Sequence, residues 1–323
     1  MAPLSEFEVI RRFFTYRAPG AVLGVGDDAA IVRARRGSDL IVSADMLVSG
    51  RHFFRDARPA QLGHKALAVN LSDMAAMGAV PRWATLSIAL PGIDARWLKA
   101  FMGGFMRLAR RHRVDLVGGD TTRGPLAICV QIIGEAPAGM ALRRDGARAG
   151  DDVWVSGVIG DAALALAALK GRIRIPAGEL RRIEKKLHAP APRVTLGAAL
   201  RGVARSAIDV SDGLVADLRH ICERSKVSAV VTLDRIPVSA TMKRHLDRPA
   251  ARAALLAGGD DYELCFTASR SRRDAVARIA RRLRITLTRI GRIVGARGKP
   301  AVIAVDAKGR PVRLRQAGFD HFG

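Results

Sequence analysis

The sequence predicts an α/β protein (of the α+β type) built from two domains with mixed sheets. A chain of 323 residues is too long for one ordinary core and suggests two domains of about 150 residues each. Short apolar runs alternate with longer stretches of helical period in both halves, which is typical of α/β architecture. Some neighbouring runs are close enough to form hairpins, so the sheets are not expected to be purely parallel.

In the first half, the apolar pattern predicts four strands and two helices. The strands are expected at 39–44, 83–90, 114–117 and 126–134, and the helices at 61–78 and 94–112. Gly78 is expected to end the first helix. Gly103-Gly104 is expected to cause a weak break in the second helix. Residues 135–150, which contain several glycines and Pro137, are the best candidate for a linker.

The second half begins again with a strand at 153–156, a glycine-bracketed turn (Gly157 to Gly160) and a helix from Asp161. The turn is equally compatible with a phosphate-binding loop and with an ordinary strand-to-helix connection. A further helix is expected near Ser211-Asp212-Gly213, because serine and aspartate are good N-caps. Later strands are predicted at 262–267 and 285–294, followed by a hairpin at 301–314 that turns at Lys308-Gly309.

The charge balance is strongly basic, with 54 Lys+Arg against 30 Asp+Glu and a formal charge of +24. Nucleic-acid binding is one interpretation, and a basic surface that attracts small anions is the other. The basic residues are spread along the chain and aromatic residues make up only 5%, so few bases could be stacked. The composition therefore favours the basic surface, without specific nucleic-acid binding.

The cysteines and the apolar runs indicate the compartment. Cys129, Cys222 and Cys265 stand singly in apolar stretches without CxxC spacing, which is typical of buried thiols in a reducing cytoplasm. No uncharged apolar run of about 18 residues is present, and the first twenty residues lack the pattern of a signal peptide. A cytoplasmic protein without a membrane span is therefore expected.

Aspartates recur in one local setting, in which an apolar run is followed by glycine or serine and then by aspartate. The segments are Gly24–Asp28, Ser43–Asp45, Gly118–Asp120, Asp209–Gly213 and Gly258–Asp261, with Asn70–Asp73 similar but on a helix. A single aspartate after glycine is more often a turn former or helix cap than a metal ligand. Many such sites together imply a cation, because clustered carboxylates repel one another. Oxygen ligands favour Mg²⁺ or Ca²⁺ over zinc, so the sequence predicts a magnesium-dependent enzyme that handles phosphate.

The motifs resemble those of the thiamine-monophosphate kinase family, in the family's order and from about residue 5 to the end. They are GVGDDAAIV (24–32), SADMLVSGRHF (43–53), HKALAVNLSDMAAMGAVPRW (64–83), VGGDTTRGP (117–125), AIDVSDGLVADL (207–218), GGDDYELCF (258–266) and GFDHF (318–322). A lone GDD is shared with the wider superfamily of aminoimidazole ribonucleotide synthetase and selenophosphate synthetase. The combination of NLSDMAAMGA, GGDTTRGP and GFDHF is much more specific to the kinase.

The resemblance implies roles for individual residues. Metal ligands are implied at Asp28, Ser43, Asp45, Asp73, Asp120, Asp209 and Asp212. ATP contacts are implied at Gly119, Asp120, Arg144 and Ser211, and contacts to thiamine monophosphate at His52, Asp260 and Phe319. Asp260 stands where the family usually has glutamate, and Phe319 where tyrosine is common. No side chain is implied as a nucleophile or general base, since the transfer is metal-assisted.

The same resemblance implies the assembly. It predicts domains at 1–137 and 138–323, with the first pairing in a homodimer and with ATP and several Mg²⁺ ions in the cleft. The implied reaction is ATP-dependent phosphorylation of thiamine monophosphate, and another superfamily enzyme with a different acceptor is the alternative. Lys65 is interpreted as a solvated helix residue, and Asp27 and Asp261 as structural caps.

Overall fold

The computed structural model describes residues 5–312 and forms two compact units. The N-terminal unit contains the chain up to residue 74 and residues 79–139, and the C-terminal unit contains 75–78 and the chain from 140 onward. The family resemblance implied a division at about 137/138, within the candidate linker 135–150. No helix within 5–312 is long and apolar enough to cross a membrane.

The N-terminal unit is built on a four-stranded sheet. A small ribbon, β1 (Ala21–Leu23) with β2 (Ile31–Val32), precedes the strands β3 (Ser38–Val48), β4 (Val80–Leu90), β5 (Asp115–Arg123) and β6 (Ala127–Pro137). The sheet order is β3-β6-β4-β5, in which β4 and β5 are parallel and the other pairs antiparallel. Alternate residues of β6, including Ile128 and Ile132, are buried, whereas Gln131 between them is exposed. One face of the sheet therefore carries the core.

Two long helices contribute the rest of this core: α2 (Pro59–Ala76) and α3 (Ala95–His112), after a short α1 (Glu6–Val9) and a π-helical turn (Ile10–Phe14). A Cβ atom on Gly104 would lie 1.9 Å from the Ala60 carbonyl oxygen, and one on Gly63 would lie 2.0 Å from that of Phe101. Glycine is therefore required where α2 and α3 approach closely. The interruption of α3 at Gly103-Gly104 expected from the sequence is wrong, since the helix is continuous.

The C-terminal unit has a six-stranded sheet. Its strands are β7 (Asp152–Ser156), β8 (Ser206–Asp209), β9 (Val227–Thr232), β10 (Leu264–Ala268), β11 (Leu287–Gly295) and β12 (Val302–Val305). The order is β12-β9-β11-β7-β10-β8, with β12 and β9 parallel and the remaining neighbours antiparallel. Every residue of β8 and β10 is buried, which places the centre of the core beside these two strands.

The helices of this unit are α4 (Asp161–Leu169), α5 (Ala177–His188), α6 (Val194–Leu200), α7 (Leu214–Ser225), α8 (Ala240–His245), α9 (Pro249–Ala257) and α10 (Arg273–Leu283). Short 3₁₀ turns lie at Leu233–Arg235 and Arg270–Arg272. The predicted hairpin turn is confirmed, since the Gly309 N–H donates to the Asp306 carbonyl and Val305 bridges to Pro311. The α/β class with mixed sheets is also confirmed.

Candidate active site

Three predicted ligands of the N-terminal unit lie together where β3 meets α2. Ser43 and Asp45 are two residues apart on β3 and so share one face of the strand. The Ser43 hydroxyl donates to the Asp73 carboxylate on α2 at 2.5 Å. The Asp45 N–H donates to the side-chain oxygen of Asn70, one helical turn before Asp73, at 3.2 Å. This corner therefore places a hydroxyl and two carboxylates close together.

Two aspartates do not stand past the end of a strand as the sequence suggested. Asp45 lies inside β3, and β5 continues through Gly118 and Gly119 to Arg123, so that Asp120 lies within it. Gly119 has φ +148°, and a Cβ atom there would lie 1.9 Å from the Leu86 carbonyl oxygen on β4. The glycine is thus required by strand packing, whatever contact its backbone makes with a ligand.

His52 and Lys65 support the turn that follows β3. The Val48 N–H donates to His52 Nδ1 at 3.0 Å, which fixes the imidazole ring. The interpretation of Lys65 as a solvated residue is wrong, because Lys65 is buried and its Nζ lies 3.5 Å from the His52 carbonyl oxygen. The apolar residues of α2 lie on most faces of the helix rather than on one stripe. The sequence pattern therefore gave no signal that Lys65 is buried.

In the C-terminal unit, two loops run side by side. The Asp260 N–H donates to the Ser211 carbonyl, and the Tyr262 N–H to the Val210 carbonyl, both at 2.8 Å. A Cβ atom on Gly259 would lie 2.0 Å from the Ser211 carbonyl oxygen, so only glycine allows this approach. The pairing brings predicted metal, ATP and acceptor contacts together on adjacent loops and at the end of β8: Asp209, Ser211, Asp212 and Asp260.

Asp217 is a residue that the sequence analysis did not select. Its Oδ2 atom accepts the N–H groups of Ser211, Asp212 and Gly213 at 3.0, 3.1 and 3.0 Å. Ser211 and Asp212 were expected to cap α7, but the N-cap is Gly213 and Asp217 in the first turn satisfies the loop instead. Burial, together with the charges of Asp209 and Asp212, raises the pKa of Asp217 to about 8 against the opposing effect of the backbone N–H groups.

The second loop has an unusual backbone. Asp260 and Tyr262 both have positive φ, at 68° and 51°, and the Tyr262 hydroxyl donates to Asp260 Oδ1 at 2.8 Å. Aspartate tolerates this left-handed region, but a bulky aromatic residue is rarely found there. Such backbone strain persists where the surroundings over-determine it, and it is concentrated at functional sites.

The turn at Gly157–Gly160 has its own carboxylate partners. The Gly160 N–H, at the start of α4, donates to both oxygens of Asp261 at 3.0 and 2.8 Å. A Cβ atom on Gly157 would lie 2.1 Å from a carboxylate oxygen of Glu263. The Asp261 carboxyl group therefore occupies this helix start, where burial raises its pKa well above the usual value, and the structure favours a structural turn over a phosphate loop.

Glu263 is the centre of a buried ion-pair group. Its carboxylate accepts from Arg193 Nε at 2.6 Å, from Lys186 Nζ at 3.0 Å and from the Ser156 hydroxyl at 2.6 Å. Burial raises the pKa of Glu263, but the Arg193 hydrogen bonds and the charges of Lys186 and Arg193 outweigh it, so the pKa lies below its ordinary value. This group holds the loop that carries Asp260 and Asp261 against β7.

The other predicted residues lie elsewhere. Asp28 is exposed, and its N–H donates to Asp27 Oδ1 at 2.9 Å, as expected for a capping Asp27. The Arg144 carbonyl accepts from Ser225 at the C-terminal end of α7, a helix about 18 Å long whose other end follows Ser211. Phe319 lies outside the described residues.

The donor set of the predicted metal ligands fits Mg²⁺. Among residues 5–312, no three Asp, Glu, His or Cys side chains converge closely enough to hold a metal alone. Mg²⁺ is usually bound by one or two carboxylates, with phosphates and water supplying the other oxygens. Asp45 and Asp73 with Ser43, and Asp209 beside Asp212, are oxygen donors of that kind.

Comparison with known proteins decides the family. The model described as AIR synthase related protein, N-terminal domain, matches residues 26–136, and that described as AIR synthase related protein, C-terminal domain, matches 148–303. The thiamine-monophosphate kinases of Escherichia coli (strain K12) and Salmonella typhimurium are 41% and 42% identical, each match covering 98% of both chains. The chain belongs to the thiamine-monophosphate kinase family. The resemblance inferred from the motifs is confirmed, and so is the expectation of a phosphate-transferring enzyme.

Solved structures agree with this family. The thiamine-monophosphate kinase of Stenotrophomonas maltophilia K279a has a TM-score of 0.85 and 47% identity, over 93% of this chain and 97% of that one. The structure of AaThiL complexed with AMPPCP and TMP has a TM-score of 0.78 and 28% identity, over 98% and 97%. The hydrogenase maturation protein HypE, at 22% identity and a TM-score of 0.75, shares the fold.

Proposed function

We propose that the chain transfers the γ-phosphoryl group of ATP to the phosphate of thiamine monophosphate, giving ADP and thiamine diphosphate. The observation that carries this proposal is the match to thiamine-monophosphate kinases over 98% of the chain at 41% identity. A relative with the same fold binds AMPPCP and TMP together. The alternative, a different acceptor within the superfamily, has no comparable support.

The acceptor's own chemistry removes the need for a general base. A phosphate monoester has a second pKa near 6 and is largely dianionic at neutral pH. The difficulty is that this dianion must approach a triphosphate that is also negatively charged. Protein groups must therefore position the two anions and screen their repulsion, and direct in-line transfer follows without a covalent enzyme intermediate.

Aspartates are proposed to hold several Mg²⁺ ions for this purpose. Bound Mg²⁺ would neutralise charge on the phosphate oxygens and on the transferring group. The proposed ligands are Asp28, Ser43, Asp45, Asp73, Asp120, Asp209 and Asp212. The strongest support is the Ser43–Asp73 hydrogen bond beside Asp45, which gathers oxygen donors at one corner of the N-terminal unit.

The remaining predicted residues are proposed as substrate contacts. Gly119, Asp120, Arg144 and Ser211 are assigned to ATP, and His52, Asp260 and Phe319 to the acceptor. Asp260 is suited to the cationic thiazolium ring because a carboxylate attracts it, and the Tyr262 hydroxyl orients that carboxylate. Asp217 is a positioning residue, since it holds the backbone of Ser211 and Asp212.

We also propose a homodimer formed through the N-terminal unit. β3 is an edge strand among the described residues, and its alternate residues Val42 and Met46 are 56% and 59% exposed. Leu40 and Val48 continue the same apolar row. A long, exposed, apolar edge strand is a surface that proteins normally cover. Analytical ultracentrifugation should give twice the chain mass, and Met46→Glu should give the monomer.

The cleft arrangement and the cytoplasmic location both remain predictions. Three free cysteines, of which Cys222 and Cys265 are buried, suit a reducing compartment.

The acceptor assay tests the proposed reaction. Purified protein with ATP and Mg²⁺ is offered thiamine monophosphate, free thiamine and aminoimidazole ribonucleotide, and ADP release is followed by a coupled assay. We expect turnover only with thiamine monophosphate: free thiamine lacks the phosphate that the acceptor must bring, and aminoimidazole ribonucleotide has a phosphate but lacks the cationic thiazolium ring. Turnover of free thiamine without turnover of the monophosphate would contradict the proposal.

A further inference from the structure

A cavity of about 370 Å³ on the sheet of the C-terminal unit is lined by arginines from several elements. We call it the arginine cavity, and its charged lining residues are Asp152, Arg235, Arg270, Arg273, Arg289 and Arg292. Asp152 pairs with Ala268, at the C-terminal end of β10, whereas the loop carrying Asp260 precedes the N-terminal end of that strand. The cavity is therefore separate from the candidate active site.

The charges of the arginine cavity do not balance within the described part of the chain. Arg273 donates to both oxygens of Asp152, at 2.6 and 2.9 Å, and Arg289 lies 3.5 Å from one of them. Burial raises the pKa of Asp152, but the hydrogen bonds and charge of Arg273 outweigh it, so this carboxylate is ionised at neutral pH. The lining then carries a formal surplus of four positive charges.

Three of the arginines supply most of this surplus. Arg235, Arg270 and Arg292 make no ion pair within 4.0 Å among residues 5–312. They come from separate elements: the 3₁₀ turn after β9, the 3₁₀ turn after β10, and β11. On a chain of charge +24, isolated surface arginines are expected, but like charges that converge on one concave surface repel one another. An anion would remove that repulsion.

The lining determines the class of anion. A guanidinium presents a planar fork that matches phosphate oxygens. A single phosphate monoester carries about −1.5 to −2 at neutral pH and so offsets at most half of a surplus of four charges, whereas an anion with a second phosphate group offsets more of it. Among residues 5–312, the lining contains no aromatic side chain, only Val230, Val305 and Thr232 beside the charged residues and glycines. Stacking of nucleobases, on which single-stranded nucleic-acid binding depends, is therefore not supported.

We propose that the arginine cavity binds a small anion with two adjacent phosphate groups, such as inorganic diphosphate or the diphosphate of a nucleotide. This site is additional to the proposed kinase reaction and does not depend on it. The cavity volume lies at the lower end of the range for small-molecule sites, about 300–1,000 Å³.

Isothermal titration of the full chain tests the proposal, in low salt with EDTA to suppress metal-dependent binding at the active site. The probes are inorganic diphosphate, ADP, inorganic phosphate and a 12-nucleotide single strand. The test variant is Arg270→Gln with Arg292→Gln. The control is Arg281→Gln with Arg282→Gln, which removes the same charge from an exposed part of α10. Melting temperatures check that each variant is folded, and Arg235→Gln replaces the test variant if it is not.

We expect diphosphate to bind the wild type and the control alike, and inorganic phosphate to bind at least about tenfold more weakly. The test variant should lose at least about tenfold in diphosphate affinity, since each lost arginine removes a charge-assisted hydrogen bond. ADP binding equal to that of diphosphate assigns the site to nucleotides, and weaker ADP binding assigns it to free diphosphate. No diphosphate binding, equal losses in test and control variants, or tighter binding of the single strand would overturn the proposal.

Discussion

Replacing Asp217 tests whether one buried carboxylate organises the loop that carries Ser211 and Asp212. Asp217 Oδ2 accepts three backbone N–H groups at 3.0–3.1 Å, and its side chain is 2% exposed. At about 1 kcal/mol net for each hydrogen bond, Asp217→Ala should lower the free energy of unfolding by about 3 kcal/mol. Asp217→Asn keeps an acceptor oxygen for these N–H groups, so its loss should be smaller, about 1 kcal/mol.

The assay is urea unfolding followed by circular dichroism, with ATP KM measured in parallel. Glu223→Ala is the control, because Glu223 lies on the same helix with its side chain 42% exposed, and it should change stability by less than about 0.5 kcal/mol. We expect the ATP KM to rise for Asp217→Ala and to stay unchanged for the control. A free energy of unfolding for Asp217→Ala within about 0.5 kcal/mol of the wild type would refute this reasoning.

Two further predictions concern the cores of the separate units. Gly104→Ala should destabilise the protein by about 1–3 kcal/mol because its Cβ would lie 1.9 Å from the Ala60 carbonyl oxygen, whereas Gly103→Ala has open space and should stabilise α3 by up to about 1 kcal/mol. Equal melting temperatures for the two variants would contradict the close helix approach. For Glu263, whose pKa is lowered in the folded state, the stability it contributes is present above the unfolded pKa and is lost as the pH falls through the folded one. Urea unfolding between about pH 6 and pH 3 should therefore show a smaller pH dependence for Glu263→Gln than for the wild type.

Local pattern predicted most of the strands and the first two long helices, because apolar alternation and helical period are carried by adjacent residues. Several features could not be found that way, since they depend on residues far apart in sequence. The close packing of α3 at Gly104 involves Ala60, and the role of Gly160 depends on Asp261, 101 residues away. The helices α5 to α10 are short and several are rich in arginine and alanine, so their boundaries were not predicted, apart from the start of α7 near Gly213.

The candidate site shows the same limit. The aspartates were found because acidic residues are scarce in a basic chain and recur beside glycine and serine. Their placement was less well predicted: Asp45 and Asp120 lie inside strands, and Asp217 rather than Ser211 or Asp212 satisfies the start of α7. Asp217 has a signal in the sequence, as an acidic residue in the first turn of a helix, but that position is common on any helix.

The magnesium dependence of the reaction tests the central claim most directly. The initial rate of thiamine diphosphate formation is measured over a range of Mg²⁺ for the wild type, Asp73→Asn and Asp56→Asn, the last being an exposed aspartate outside the proposed ligand set. If Asp73 holds Mg²⁺ beside Ser43 and Asp45, Asp73→Asn should lose at least about a hundredfold in rate at saturating Mg²⁺, with an unchanged or raised melting temperature. Asp56→Asn should match the wild type. A near-normal rate for Asp73→Asn at saturating Mg²⁺ would show that this carboxylate only holds β3 to α2, and would contradict the account.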